Sequence, residues 1–526
     1  MPKLSKKFRV GRRNALKTFS LLGATTALGG LLTPYVRALT SKNVLDVYEV
    51  AGSPTYNGVT PGKTLIAVPG EAMEVKLINN LPALHDDCTF NPNNFHGRNT
   101  TNLHTHGLHV SPGTDSSGEF DSDNVFISLV PENQAVACSE VCGEDVATHF
   151  RWHETDYKFE VPADHPSGTF WYHAHKHGST AQQVGAGLAG PLIIKDRPGF
   201  MPAYIEQAKE KTIMLMNRGI VVTDPNGGGD TNPTLTMRPG EVQRWRIINA
   251  QAAGDIFSFL HAQQPGIEMY QIAFDGLTLP RRVKVDQNSV KEPWLNPAAL
   301  STGNRTDIMV RIPPETESGR ITLALSQNQA TNNNGGMGGG MGGGGMGGMG
   351  GGGMGGGMGM GGGNNNGPSQ IVINVSGSPV DHLWSDDDTL PGSGLVPFDD
   401  TPLSKRSIAF DGRNHIDGDR YEGSMKQTMK LNTAEEWTVS NDTNGVHAFH
   451  IHVNSFFITH INGVELAEDD PLRRWQDTIG LPYRNNRQSG SVTYKTRFET
   501  YTGKFVIHCH NLRHEDQGMM QLVEVT

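Results

Sequence analysis

The sequence closes on the stretch HCHNLRHEDQGM, which spans residues 508–519. On a β-strand alternate side chains face opposite ways. His508 and His510 therefore share one face, and Cys509 takes the other. A single strand would touch two metal sites at once. The chain has 4 Cys among 526 residues. Setting one of them between two imidazoles commits this end of the chain to a sheet built around metal.

Three further histidine clusters precede it: His104-Thr-His106, His173-Ala-His175 and His447-Ala-Phe-His450-Ile-His452. All lie in strand-like contexts, so each His-x-His pair aims two rings into one space. Imidazole alone suits copper, zinc or iron, and the thiolate narrows the choice. Cys509 with His514 and one further His matches the two-His, one-Cys site of blue copper proteins. Met519 stands at the right place for a weak axial thioether.

The rest of the chain fits an all-β reading. Gly 64 and Pro 30 punctuate short apolar runs, the pattern of sandwiches and barrels. Three blocks are expected at 44–200, 205–378 and 405–526, with an Asp-, Pro- and Gly-rich linker at 379–404. An insertion at 335–363 breaks the second block, and its residues 337–360 are all Met or Gly. That composition is too costly in backbone entropy to fold alone, which suggests a long loop between two strands.

Residues 1–38 carry VGRRNALKTF followed by SLLGATTALGGLL. A twin arginine ahead of a modest apolar run resembles a twin-arginine export signal, with cleavage after Ala38. The run is too short and glycine-rich to span a bilayer, and no other stretch is long enough. The mature chain is thus expected in the periplasm. The first 38 residues hold eight of the 44 Lys and Arg and no acid, so their removal takes the net charge from −10 to −18. Such a surface argues against a nucleic-acid partner. Cys88, Cys138 and Cys142 remain for a disulfide joining Cys88 to either of the others.

Taken in order, the four histidine motifs resemble those of the multicopper oxidases, in particular the three-domain bacterial laccase-like and cuprous oxidases. The resemblance implies three cupredoxin-like Greek-key β-sandwich domains in a monomer holding four coppers. His447, Cys509 and His514 would hold the type 1 copper, with Met519 axial. His104 and His450 would hold the type 2 copper. His106, His173 and His510 would bind one type 3 copper, and His175, His452 and His508 the other. The second domain would be a spacer and wall. Electrons from a reducing substrate would enter at type 1 and pass through Cys509 to O2 at the other three coppers.

Protons for water would come from acids. Asp115, eleven residues after His104, matches the family's acid near type 2. Glu515 matches its proton donor, and Asp442 is a candidate donor-side carboxylate. His109 and His177 read as neighbours of ligands or surface residues, and Met520 as core. The seven thioethers of the insertion favour Cu(I) as the donor in copper tolerance. A phenol is the alternative donor, and a non-catalytic copper-binding protein of the same fold is the third reading.

Overall fold

A computed structural model describes residues 43–84, 92–133, 149–253, 256–285, 293–329, 369–398 and 403–526. The export segment, Cys88, Cys138, Cys142 and the Met/Gly insertion lie outside the described residues.

The strands follow from period-two patterning. In Thr433–Asn441 and Gly490–Phe498 buried positions alternate with partly exposed ones, as in a sheet with one face on a core. Strands Gly168–His173 and His447–Ile451 are buried along their whole length, so both of their faces meet protein. The chain is all-β and cupredoxin-like, with three pairs of larger sheets and one further two-stranded sheet, Ser128–Val130 with Phe150–Trp152. The first pair uses strands between 43 and 194, the second between 209 and 375, and the third between 404 and 525. Each pair has its own apolar core, with Tyr157, Trp245 and Trp437 fully buried in turn. Burying a large apolar side chain contributes roughly 1.5–3 kcal/mol. Strands Gly319–Gln329 and Gln370–Val375, which flank the insertion, pair antiparallel.

Polar ties join the blocks. Asp307 in the second block accepts from Thr169 in the first and from the guanidinium groups of Arg244 and Arg246. Asp516 in the third accepts from the backbone N–H groups of Gly178, Thr180 and Ala181. Losing one partner of such a buried charge costs several kcal/mol, about 3–5. The linker also docks. Leu390 enters the second core, while the Val396 and Pro397 carbonyls accept from Arg497 in the third block.

Candidate metal centre

Strands His447–Ile451 and Gly503–Cys509 lie side by side with His450 opposite His508 and Phe449 opposite Cys509. The expected alternation results. Cys509 points into the third core beside Phe449 and Met519, and is itself buried. There its Sγ lies 3.5 Å from His447 Nδ1 and 3.8 Å from His514 Nδ1. His514 arrives on the short helix Leu512–Asp516, and the chain then folds back. The Met519 N–H donates to the His514 carbonyl at 2.9 Å, and the Cys509 N–H to the Met519 carbonyl at 3.0 Å. The far nitrogens are tied locally: His447 Nε2 lies 2.9 Å from Thr443 Oγ1, and Asn511 Nδ2 lies 3.4 Å from His514 Nε2. Both Nδ1 atoms are left facing the sulfur. Burial, and then His514, pushes His447 down to about 3, so it stays neutral with its lone pair available.

On the opposite face eight imidazoles meet. His104 pairs with His173 across strands of the first block. The rings of the first block slot against those of the third, His104 on His452 and His106 on His450, each 3.9 Å apart. The Nε2 atoms of His175 and His452 each lie 3.2 Å from that of His508. Donor atoms of His104, His450 and His452, of His104, His106 and His173, and of His175, His452 and His508 fall within 4.8 Å in each group. The His510 ring lies 4.8 Å from that of His106 and 5.6 Å from that of His173.

Family models described as multicopper oxidase match residues 150–199 and 398–526. A multicopper oxidase of Staphylococcus haemolyticus is 25% identical, over 90% of this chain and 83% of that protein. A laccase of Bacillus subtilis is 25% identical, over 90% of each. Among solved structures, a Campylobacter jejuni multicopper oxidase, titled a metallo-oxidase, superposes with TM-score 0.58 at 20% identity, over 92% of this chain and 90% of that one. An Ochrobactrum laccase-like oxidase gives TM-score 0.60 at 17% identity, over 92% and 96%. The chain is similar to multicopper oxidases over most of its length. It is an oxidoreductase, and its cofactor is copper.

The clustered residues fit the metal. His104 Nε2, His106 Nδ1, His173 Nε2, His450 Nε2 and both His510 nitrogens are buried without a hydrogen-bond partner among the described residues. Bare lone pairs inside a protein are costly unless a cation takes them. In two rings of the cluster Nδ1 donates to a fixed acceptor, His173 Nδ1 to the Ala174 carbonyl and His508 Nδ1 to the Cys509 carbonyl. That choice of tautomer directs Nε2 inward.

One expected acid is displaced. Asp115 does not face the histidines. It closes its own loop, accepting from Ser117 Oγ and the N–H groups of Glu119 and Phe120, and pairs with Lys158 at 2.8 Å. Lys158 holds its carboxyl well below the usual range. Asp123 takes the expected place, with both carboxylate oxygens 3.0 Å from His104 Nδ1. Burial pushes the Asp123 carboxyl up to about 7, opposed by the Thr105 donors. A distance along the chain could not choose among Asp115, Asp121 and Asp123, since the loop between them doubles back. Asp477, which touches both His106 and His450, carried no sequence signal beyond standing before the apolar strand Thr478–Leu481.

Glu515 is fully buried. Its Oε1 lies 3.5 Å from His177 Nδ1 and 3.4 Å from Thr180 Oγ1, and Oε2 has no partner among the described residues. Burial, and then the neighbouring Asp516, holds its carboxyl well above the usual range. His177 thus stands beside Glu515, and His109 Nδ1 donates to the Val453 carbonyl. Met520 packs with Val125 and Val506. Asp442 is exposed, next to Thr443 on the His447 side.

Proposed function

We propose that this oxidase takes its electrons from Cu(I), outside the cytoplasm, and serves copper tolerance. The observation that carries the donor assignment is the run of seven Met in 337–360, a soft-ligand segment suited to Cu(I). The twin-arginine pattern of residues 1–38 supports export of the folded chain to the periplasm, where removing Cu(I) limits its return. We assign His447, Cys509, His514 and Met519 to type 1, His104 and His450 to type 2, and the other six cluster histidines to type 3.

Copper held by these residues would supply one-electron chemistry toward the donor and the four-electron, four-proton reduction of O2 to two waters. The protein's own groups do the rest. Cys509 is joined through its backbone to His508 and His510, so a covalent path one residue long links the two metal sites. Glu515 keeps a proton in a site that excludes water, and Thr180 and His177 orient its Oε1. Asp123 fixes the His104 ring through Nδ1.

A phenol donor is the second reading. It is supported by the aromatic pair Trp294 and Tyr483, ring centroids 4.9 Å apart, which packs on Val446 beside His447. The laccases among the relatives support it too. Deleting 335–363 decides between them in steady-state kinetics. The proposal expects lower efficiency on Cu(I), with phenol oxidation equal or faster. Unchanged Cu(I) kinetics at low Cu(I) would sink it in favour of the phenol reading. Retention of full-length precursor inside the cytoplasm would sink the export assignment.

A further inference from the structure

The second block supplies none of the expected ligands, yet one of its loops reaches the histidines. Residues 301–305 are buried. Gly303 has φ +92, and a Cβ there would stand 3.0 Å from the His510 ring and 3.1 Å from His106 Cε1. Two residues on, Arg305 crosses into the third block and forks onto Asp477, Nη1 to Oδ1 at 2.8 Å and Nη2 to Oδ2 at 2.6 Å. Such a two-pronged pair fixes orientation as well as charge. Asp275, also of the second block, accepts from the N–H groups of Asp477 and Thr478, each at 3.1 Å. Asn304 Nδ2 donates to the Thr478 carbonyl at 2.8 Å. Asp477 is therefore gripped through both side chain and backbone.

Asp477 in turn meets two rings in two ways. Its backbone carbonyl, which can only accept, lies 2.9 Å from His450 Nδ1. That nitrogen carries the hydrogen, and Nε2 is left bare. Its Oδ1 lies 3.2 Å from His106 Nε2, so here Nε2 carries the hydrogen and Nδ1 is left bare. His450 Nε2 and His106 Nδ1 are among the buried nitrogens without a partner among the described residues.

We infer that the second block is the positioning element of the histidine cluster: Arg305 and Asp275 hold Asp477, and Asp477 sets His450 and His106 in opposite tautomers. Arg305 and Asp477 are positioning residues, since they act through the rings. The inference rests on the copper assignment above, and the blue band of the Cys509 site reports on that assignment separately.

The test is Arg305→Gln, copper-loaded and checked for folding by circular dichroism, with copper content and electron paramagnetic resonance read together. The expected result keeps the blue band, alters or removes the type 2 signal, and lowers copper from about four toward about three per chain, as loss of an outer-shell partner does. A folded variant with full copper and a wild-type type 2 spectrum would overturn the inference. So would parallel loss of blue band and type 2 signal, the mark of a general structural role. If Arg305→Gln does not fold, Arg305→Lys keeps the charge and loses the fork. A shifted type 2 spectrum supports the inference there, and an unshifted one overturns it. Wild-type protein lacking any type 2 signal would instead sink the copper assignment itself.

Discussion

The two metal-binding regions are built by different rules. The trio at Cys509 belongs to one block. Its rings are steadied by Thr443 and Asn511, four and three residues from the histidines they touch. The eight-histidine region takes half its rings from the first block and half from the third, and its supports come from all three: Asp123, Arg305 and Asp477. A site held by near neighbours can change one residue at a time. A site assembled by closing three blocks couples its members, so single changes there should not add.

The largest contrast comes from Cys509→Ser. It should abolish the blue band and all turnover while leaving the type 2 signal in place, because the eight rings do not depend on the sulfur. Wild-type turnover in this variant would remove Cys509 from the electron route.

The second test uses copper-free protein. Burial first, and then neighbouring charge, holds His104, His106, His173, His175, His452, His508 and His510 below the ordinary imidazole value. The unfolded chain takes up these protons below about pH 6.5, and the folded chain resists. Their stabilising contribution is therefore complete above that pH and is progressively lost as pH falls below it toward the lowered folded-state values. In the trio at Cys509, His447 adds one such group. Denaturant melts from pH 7 to 5 should fall steeply, and His447→Gln should keep most of the slope. A flat profile would contradict the buried, neutral cluster.

Smaller effects separate the acids. Glu515→Gln should slow O2 reduction by about 10²-fold in stopped flow, while donor still reduces the type 1 site quickly. Slow type 1 reduction instead would count against the proton role. Asp123→Asn should cost about tenfold in turnover or in type 2 copper affinity. Asp115→Asn should leave both essentially unchanged, and equal losses in the two variants would mean that Asp123 has no special part in holding His104.

The sequence displayed the histidine and cysteine clusters because strand periodicity is local. His-x-His and His-Cys-His state which side chains share a face, and pairing of His450 with His508 converts that into a site. The all-β class was legible for the same reason. The supporting acids were not. Asp115 and Asp123 are separated by a loop that returns on itself through the Asp115 N–H to Phe120 carbonyl bond. Chain distance from His104 therefore pointed to the wrong one. Asp477 lies 371 residues from His106, and Arg305 lies 172 from Asp477. Contacts of that span come from packing of blocks, which no motif records. The second block looked like a wall because ligand residues were the signal sought, and its loop at Gly303 contributes shape instead.

Under the proposed assignment, electrons entering at Cys509 reduce O2 fully to water at the eight histidines. The direct measurement is the ratio of donor oxidised to O2 consumed, with peroxide assayed in the same vessel. A four-electron reduction requires about four one-electron donors per O2 and no accumulating peroxide, since a single metal cannot deliver four electrons and the chemistry is the cofactor's. A ratio of about two with peroxide as product would mean that the cluster does not act as one unit and would rule out four-electron reduction there.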